Sequence, residues 1–172
     1  MARIDRIAQA IFAAVAATMM ALVFLIIFVN SVRRYTTGES IPWGEEAPVY
    51  LAIYGVMFGV GLAYLQDRHI RFTVLTDMLA ERLRRRLFAA MDLATAATGA
   101  MLLWSGIAFA ARRPDRTASG LIGSARDLAE ATGLPALEWL GRMGTWQSAI
   151  ALGGAILMIA ALIRFALRLR EV

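Results

Sequence analysis

Residues 7–29 read IAQAIFAAVAATMMALVFLIIFV, 23 residues without a formal charge. As a helix they measure about 34 Å, against ~30 Å of bilayer hydrocarbon. The charge-free run continues to Val32. Three further stretches have the same character: 47–66, 87–111 (interrupted only by Asp92) and 143–163. Each meets the ~17–25 residues that a spanning helix needs. The expected fold is therefore an all-α integral membrane protein, one domain over 1–172 with four transmembrane helices. Arg3 and Arg6 resemble the basic start of a signal peptide, but the apolar run after them is too long for one. An uncleaved first span is expected.

Composition agrees. Of 172 residues 59% are hydrophobic, and the mean hydropathy is +0.61. The chain has no Cys, one His and no Lys, since all 18 basic residues are Arg. Thiolate metal sites, a His-cluster metal or bis-His haem site and Schiff-base chemistry are thereby excluded. No catalytic residue, metal ligand or cofactor site is expected. Eleven arginines fall with the two termini and the 67–86 connector, and seven fall on the opposite side. The positive-inside rule then places both termini in the cytoplasm. The pI near 10.6 reflects arginines facing the membrane surface, so no nucleic-acid partner is implied.

Between spans two and three, Val74, Leu75, Met78, Leu79, Leu83 and Leu87 line one helical face, opposite Asp77, Glu81, Arg84 and Arg85. This spacing predicts an amphipathic helix over about 70–86, lying in the interface. Arg82, Arg84, Arg85 and Arg86 would stand among lipid phosphates. The 112–142 connector carries Leu121, Ile122, Ala125, Leu128 and Ala129 at helical spacing, then a break at Gly133 and Pro135. Leu137, Trp139 and Leu140 lead into span four, and the connector is expected to cover the end of the bundle.

Few residues offer chemistry. Asp92 is the only charge well inside a span, which makes it a candidate proton or ion site. It also lies only six residues past Arg86, near enough to the headgroups to pair with an Arg or reach water. Glu45 and Glu46 open span two. One can complement the helix N-terminus, but adjacent residues diverge by about 100°. For the pair, a carboxylate hydrolase lacks a group to activate a nucleophile, and a polar contact to a partner membrane subunit stays open. Gly55, Gly59 and Gly61, and separately Gly153-Gly154, offer places where helices can approach closely. His69, just past span two, reads as a hydrogen-bonding anchor.

The stretch Trp43-Gly44-Glu45-Glu46-Ala47-Pro48-Val49-Tyr50, with Gly59, Ala63 and Arg68-His69-Ile70-Arg71, resembles the small (DctQ-type) membrane subunit of tripartite ATP-independent periplasmic (TRAP) transporters. The motif covers about 43–72. It departs from the family where Pro48 and Val49 replace a basic residue before the Tyr, and where Thr73 replaces an Asp. The resemblance implies a scaffold in the bacterial inner membrane that packs against a large transport subunit. A periplasmic binding protein would supply an organic acid or similar solute for sodium-coupled uptake. It further implies that Trp43, Glu45, Glu46, Tyr50, Gly55, Gly59 and His69 serve partner or lipid contacts. Without the resemblance, a stand-alone proton-coupled carrier using Asp92 is the alternative.

Overall fold

The computed structural model describes residues 2–66, 79–112, 116–118 and 120–170. Four long helices carry the fold. They are α1 (Ala2–Thr37), α2 (Glu46–Leu65), α3 (Glu81–Ala111) and the final α6 (Ala149–Arg170). Short α4 (Ile122–Thr132), a 3-10 turn (Pro135–Gly141) and α5 (Met143–Gln147) lie between α3 and α6. All four expected spans are present as helices long and apolar enough to cross a membrane, α5 and α6 together supplying the last. No strand occurs among the described residues.

Boundaries differ from the sequence expectation at three places, one being α6, which runs to Arg170 and not to 163. α1 has 36 residues, about 54 Å of helix, and so runs well past Val29 before Gly38 ends it at φ 78°. Of the expected interfacial helix over 70–86, residues 70–78 lie outside those described, as does His69. Its last part, from Glu81, is continuous with the third span rather than separate from it. The run Glu81-Arg82-Leu83-Arg84-Arg85-Arg86 is made of helix formers and has no Gly or Pro to break it before Leu87.

The helices pack in series: α1 on α2, α2 on α6, and α6 on α3, the last contact being the most extensive. The result is a row more than a closed bundle. Burial follows this order. Only 6% of the residues in the most apolar part of α1 are buried, against 33% in the last span. α1 is thus an edge helix, while α6 sits between two neighbours.

Lipid is as apolar as Leu, so helices gain little in a bilayer by hiding oily side chains from it. Close packing and polar contacts must join them. The α3–α6 seam uses small residues for this. A Cβ on Gly99 would lie 2.6 Å from the Met158 backbone nitrogen and 2.8 Å from the Gly154 carbonyl oxygen. Gly106 meets the Ala151 backbone in the same way, and Gly154 meets that of Leu103. The helices are antiparallel, and on α3 their contacts recur every seven residues: Asp92, Gly99 and Gly106 meet Arg168, Gly154 and Ala151 of α6, with Gly154 and Arg168 two such repeats apart. A seven-residue repeat keeps one stripe facing its neighbour in a left-handed crossing.

A second junction joins α1, α2 and α6 through buried Phe12, Leu65, Ile156 and Ala160. Phe12 meets Phe58 edge to face at 5.8 Å. Gly61 leaves room there for Ile156 and Phe12.

Substituting Gly99 by Leu should force α3 from α6 and cost about 1–3 kcal/mol or more. Gly59 has nothing within 4 Å of its Cβ position. Gly59→Ala should stay within about 0.5 kcal/mol of the parent. Denaturant or thermal unfolding of the purified chain in detergent measures both.

Candidate functional site

Two clusters of polar side chains sit at opposite ends of the row. The first begins at Asn30, a buried amide near the end of α1. Its Oδ1 accepts the backbone N–H of Ile41 at 2.7 Å, satisfying both groups away from water. Gly44 makes this possible, since a Cβ there would lie 2.6 Å from Asn30 Cγ. The 38–45 turn is thereby folded against α1 and delivers Trp43, Glu45 and Glu46 to the start of α2.

Glu46 turns inward and accepts the Gly120 backbone N–H at 3.1 Å. This ties α2 to the connector that follows α3. Behind the bond, Ala47, Ala118 and Leu121 form a small buried cluster flanked by Trp43, Tyr50 and Trp146. Tyr50 stacks on Trp146 with ring centroids 5.0 Å apart. Tyr54 meets the same indole edge to face, and its hydroxyl bonds the Thr145 carbonyl and Ser148 Oγ. The Trp146 indole N–H donates to the Leu140 carbonyl at 2.9 Å. Backbone bonds from Ala118 to Gly141 and from Met143 to Arg116 fasten the two ends of the connector to each other. The product is an aromatic collar of the kind that suits a membrane–water boundary, with rings in the apolar zone and polar edges satisfied.

Glu45 takes no part. It is exposed and makes no hydrogen bond or ion pair among the described residues. The expected divergence of the Glu pair is therefore present, although the inner carboxylate holds a loop rather than the helix's own N–H groups.

The second cluster is centred on Asp92, which is 3% exposed. The Tyr64 hydroxyl of α2 donates to its Oδ1 at 2.7 Å, and Arg168 Nε of α6 donates to its Oδ2 at 2.7 Å. The Arg168 guanidinium also lies 4.9 Å from the centre of the Phe88 ring. Its side chain is only 18% exposed. Three helices thus meet at one carboxylate. An unpaired ion in this setting would cost several kcal/mol, whereas one with a cation and a second donor on its two oxygens is compensated. A cleft of about 510 Å³ between α2 and α3 ends on this cluster, with Val60, Met91 and Leu157 among its apolar walls. Chemically the arrangement is a fixed ion pair, with both carboxylate oxygens already engaged.

The structure brings Trp43, Glu46 and Tyr50 together and leaves Glu45 outside their cluster. Gly55 packs within the row, its Cβ position 3.1 Å from Met19 Cβ of α1. Gly59 faces open space. Sequence reasoning missed Asn30, Tyr54, Trp146 and the pairing of Tyr64 and Arg168 with Asp92. A polar Asn within the long charge-free run was a usable signal, as was the seven-residue spacing from Gly154 to Arg168. Among the described residues no group of three acidic or His side chains could hold a metal ion.

The fold and these clusters define a multi-pass α-helical membrane protein whose internal polar groups join its own helices. Residues 23–171 match the family model for tripartite ATP-independent periplasmic transporters, DctQ component, and the chain belongs to that family. It is accordingly a transporter component of the bacterial inner membrane and not an enzyme. The family implies association with a large membrane subunit and a periplasmic binding protein. No match was found among curated proteins.

Replacing Arg168 by Gln leaves a buried carboxylate without its cation, and stability should fall by about 3 kcal/mol. Adding Asp92→Asn removes the orphaned charge and should restore most of the loss. A double-mutant cycle by denaturant unfolding in detergent checks this. Strict additivity would show that the two groups do not interact.

Proposed function

We propose that this chain is the non-catalytic scaffold of a sodium-coupled TRAP transporter. It supports a large subunit that carries an organic acid or similar solute delivered by a periplasmic binding protein. The observation behind this reading is the state of Asp92. The charge inside a span is held by Tyr64 and Arg168, so each of its oxygens already accepts a hydrogen bond from a neighbouring helix. A carrier must bind and release its ion from such a group, which leaves the stand-alone reading unsupported.

In this reading both termini lie in the cytoplasm, and the chain sits in the membrane as a single unit over its whole length. The collar of Trp43, Tyr50 and Trp146 lies at the periplasmic boundary, and Arg82, Arg84, Arg85 and Arg86 lie at the cytoplasmic one. Contacts to the large subunit or to lipid come from surfaces the chain does not use internally. Glu45 offers an exposed carboxylate, and Gly59 offers a face open to close approach by another helix. Trp43, Tyr50 and His69 are proposed for the same set of partner or lipid contacts.

Co-purification with a tagged large subunit tests the association, and deletion of this chain should abolish uptake. Normal uptake in the deletion strain would refute the scaffold role. Two neighbouring substitutions separate partner contact from fold. Glu45→Gln should weaken co-purification while leaving stability within about 0.5 kcal/mol. Glu46→Gln should lower stability by about 1 kcal/mol through its weakened bond to Gly120.

A further inference from the structure

At the end of the row opposite the collar, the start of α3 and the end of α6 enclose a cleft of about 620 Å³. Arg82, Arg85, Arg86 and Ala89 line it from α3, and Arg168 and Leu169 line it from α6. Four guanidinium groups thus converge from two helices. Among the described residues Glu81 is the one carboxylate on the wall, and it is already bonded by Arg84 and Arg85. Arg168 is held by Asp92. Arg82 and Arg86 make no hydrogen bond or ion pair among the described residues and stand one helical turn apart.

We propose that this cleft is a discrete binding site for an anionic phospholipid, its phosphate held by Arg82 and Arg86 with Arg85 and Arg168 at the rim. Like charges four residues apart on a helix repel each other. Both arginines also occupy the first turns of α3, where the helix dipole disfavours cations. An anion between them offsets both penalties, and guanidinium forks match phosphate oxygens bidentately.

The cleft continues in the apolar direction, which selects a lipid over free phosphate. Leu93 lies seven residues beyond Arg86 on the same face of α3, and Leu162 lies seven before Leu169 on α6. They are 48% and 45% exposed, so a path for acyl chains runs from the basic cleft along both helices. The Asp92 cleft opens on the α2 side of α3, and of the residues on this path only Arg168 also lines it. The site is independent of the scaffold role, since it needs no partner subunit.

The test uses the full chain in mild detergent, titrated with phosphatidylglycerol or phosphatidylcholine and read by native mass spectrometry and thermal shift. Phosphatidylglycerol should bind preferentially, and Arg82→Gln/Arg86→Gln should weaken it by about tenfold or more. Arg33→Gln/Arg34→Gln removes equal charge from the other end of α1 and should leave binding intact. Equal affinity for the two lipids, an equal loss in both variants, or displacement by inorganic phosphate at matching concentration would each overturn the site.

Discussion

The close approach of α3 and α6 is the constraint on which the rest of the row depends. In a bilayer, oily side chains give helices little reason to prefer one another to lipid. Gly99, Gly106 and Gly154 let two backbones come near enough for dispersion and backbone dipoles to act. The Asp92–Arg168 pair then closes the seam at one end, because separating the helices would leave a buried carboxylate without its cation. Tyr64 extends that tie to α2, and Phe12 at the Gly61 junction brings in α1. Order therefore spreads outward from one helix pair to the edge.

This construction suits a component that gives mechanical support. A row of helices presents broad apolar faces on both sides, where a closed bundle of the same length would hide more of them. α1, with few fully buried residues, leaves the face turned from α2 to lipid or to another protein. At the collar, polar groups fasten a connector of about 30 residues so that it moves with the helices below it. Glu46, Asn30, Trp146 and Tyr54 each bond a backbone group in a loop or at a helix junction, which is how a membrane protein keeps irregular segments at a wet boundary in place. Polar side chains here hold shape, which agrees with the scaffold role proposed above.

The spans were legible because the absence of charge over 20 residues has one physical meaning in a chain of this composition. Asp92 was legible as an anomaly for the same reason, and its pairing with an Arg was anticipated in kind. The particular arginine was not, since Arg168 stands 76 positions away and periodicity identifies faces without identifying neighbours. The same gap explains the glycines. Gly55 and Gly59 share a spacing, yet Gly55 faces α1 while Gly59 faces open space. One of Glu45 and Glu46 was expected to serve the start of their own helix, but the fold brought Gly120 within reach of Glu46. The helical run from Glu81 lacks any breaker before Leu87, a local cue that outweighed the amphipathic pattern used to set a boundary at 86.

As proposed, this polypeptide holds a transporter in position and moves nothing itself. Reconstitution into sealed vesicles is the most direct measurement, with the chain alone in one set and the chain plus its large subunit in another. With a sodium gradient and solute-loaded binding protein supplied outside, the account predicts solute accumulation only where both membrane subunits are present. Accumulation, or dissipation of the gradient, in vesicles holding this chain alone would contradict it.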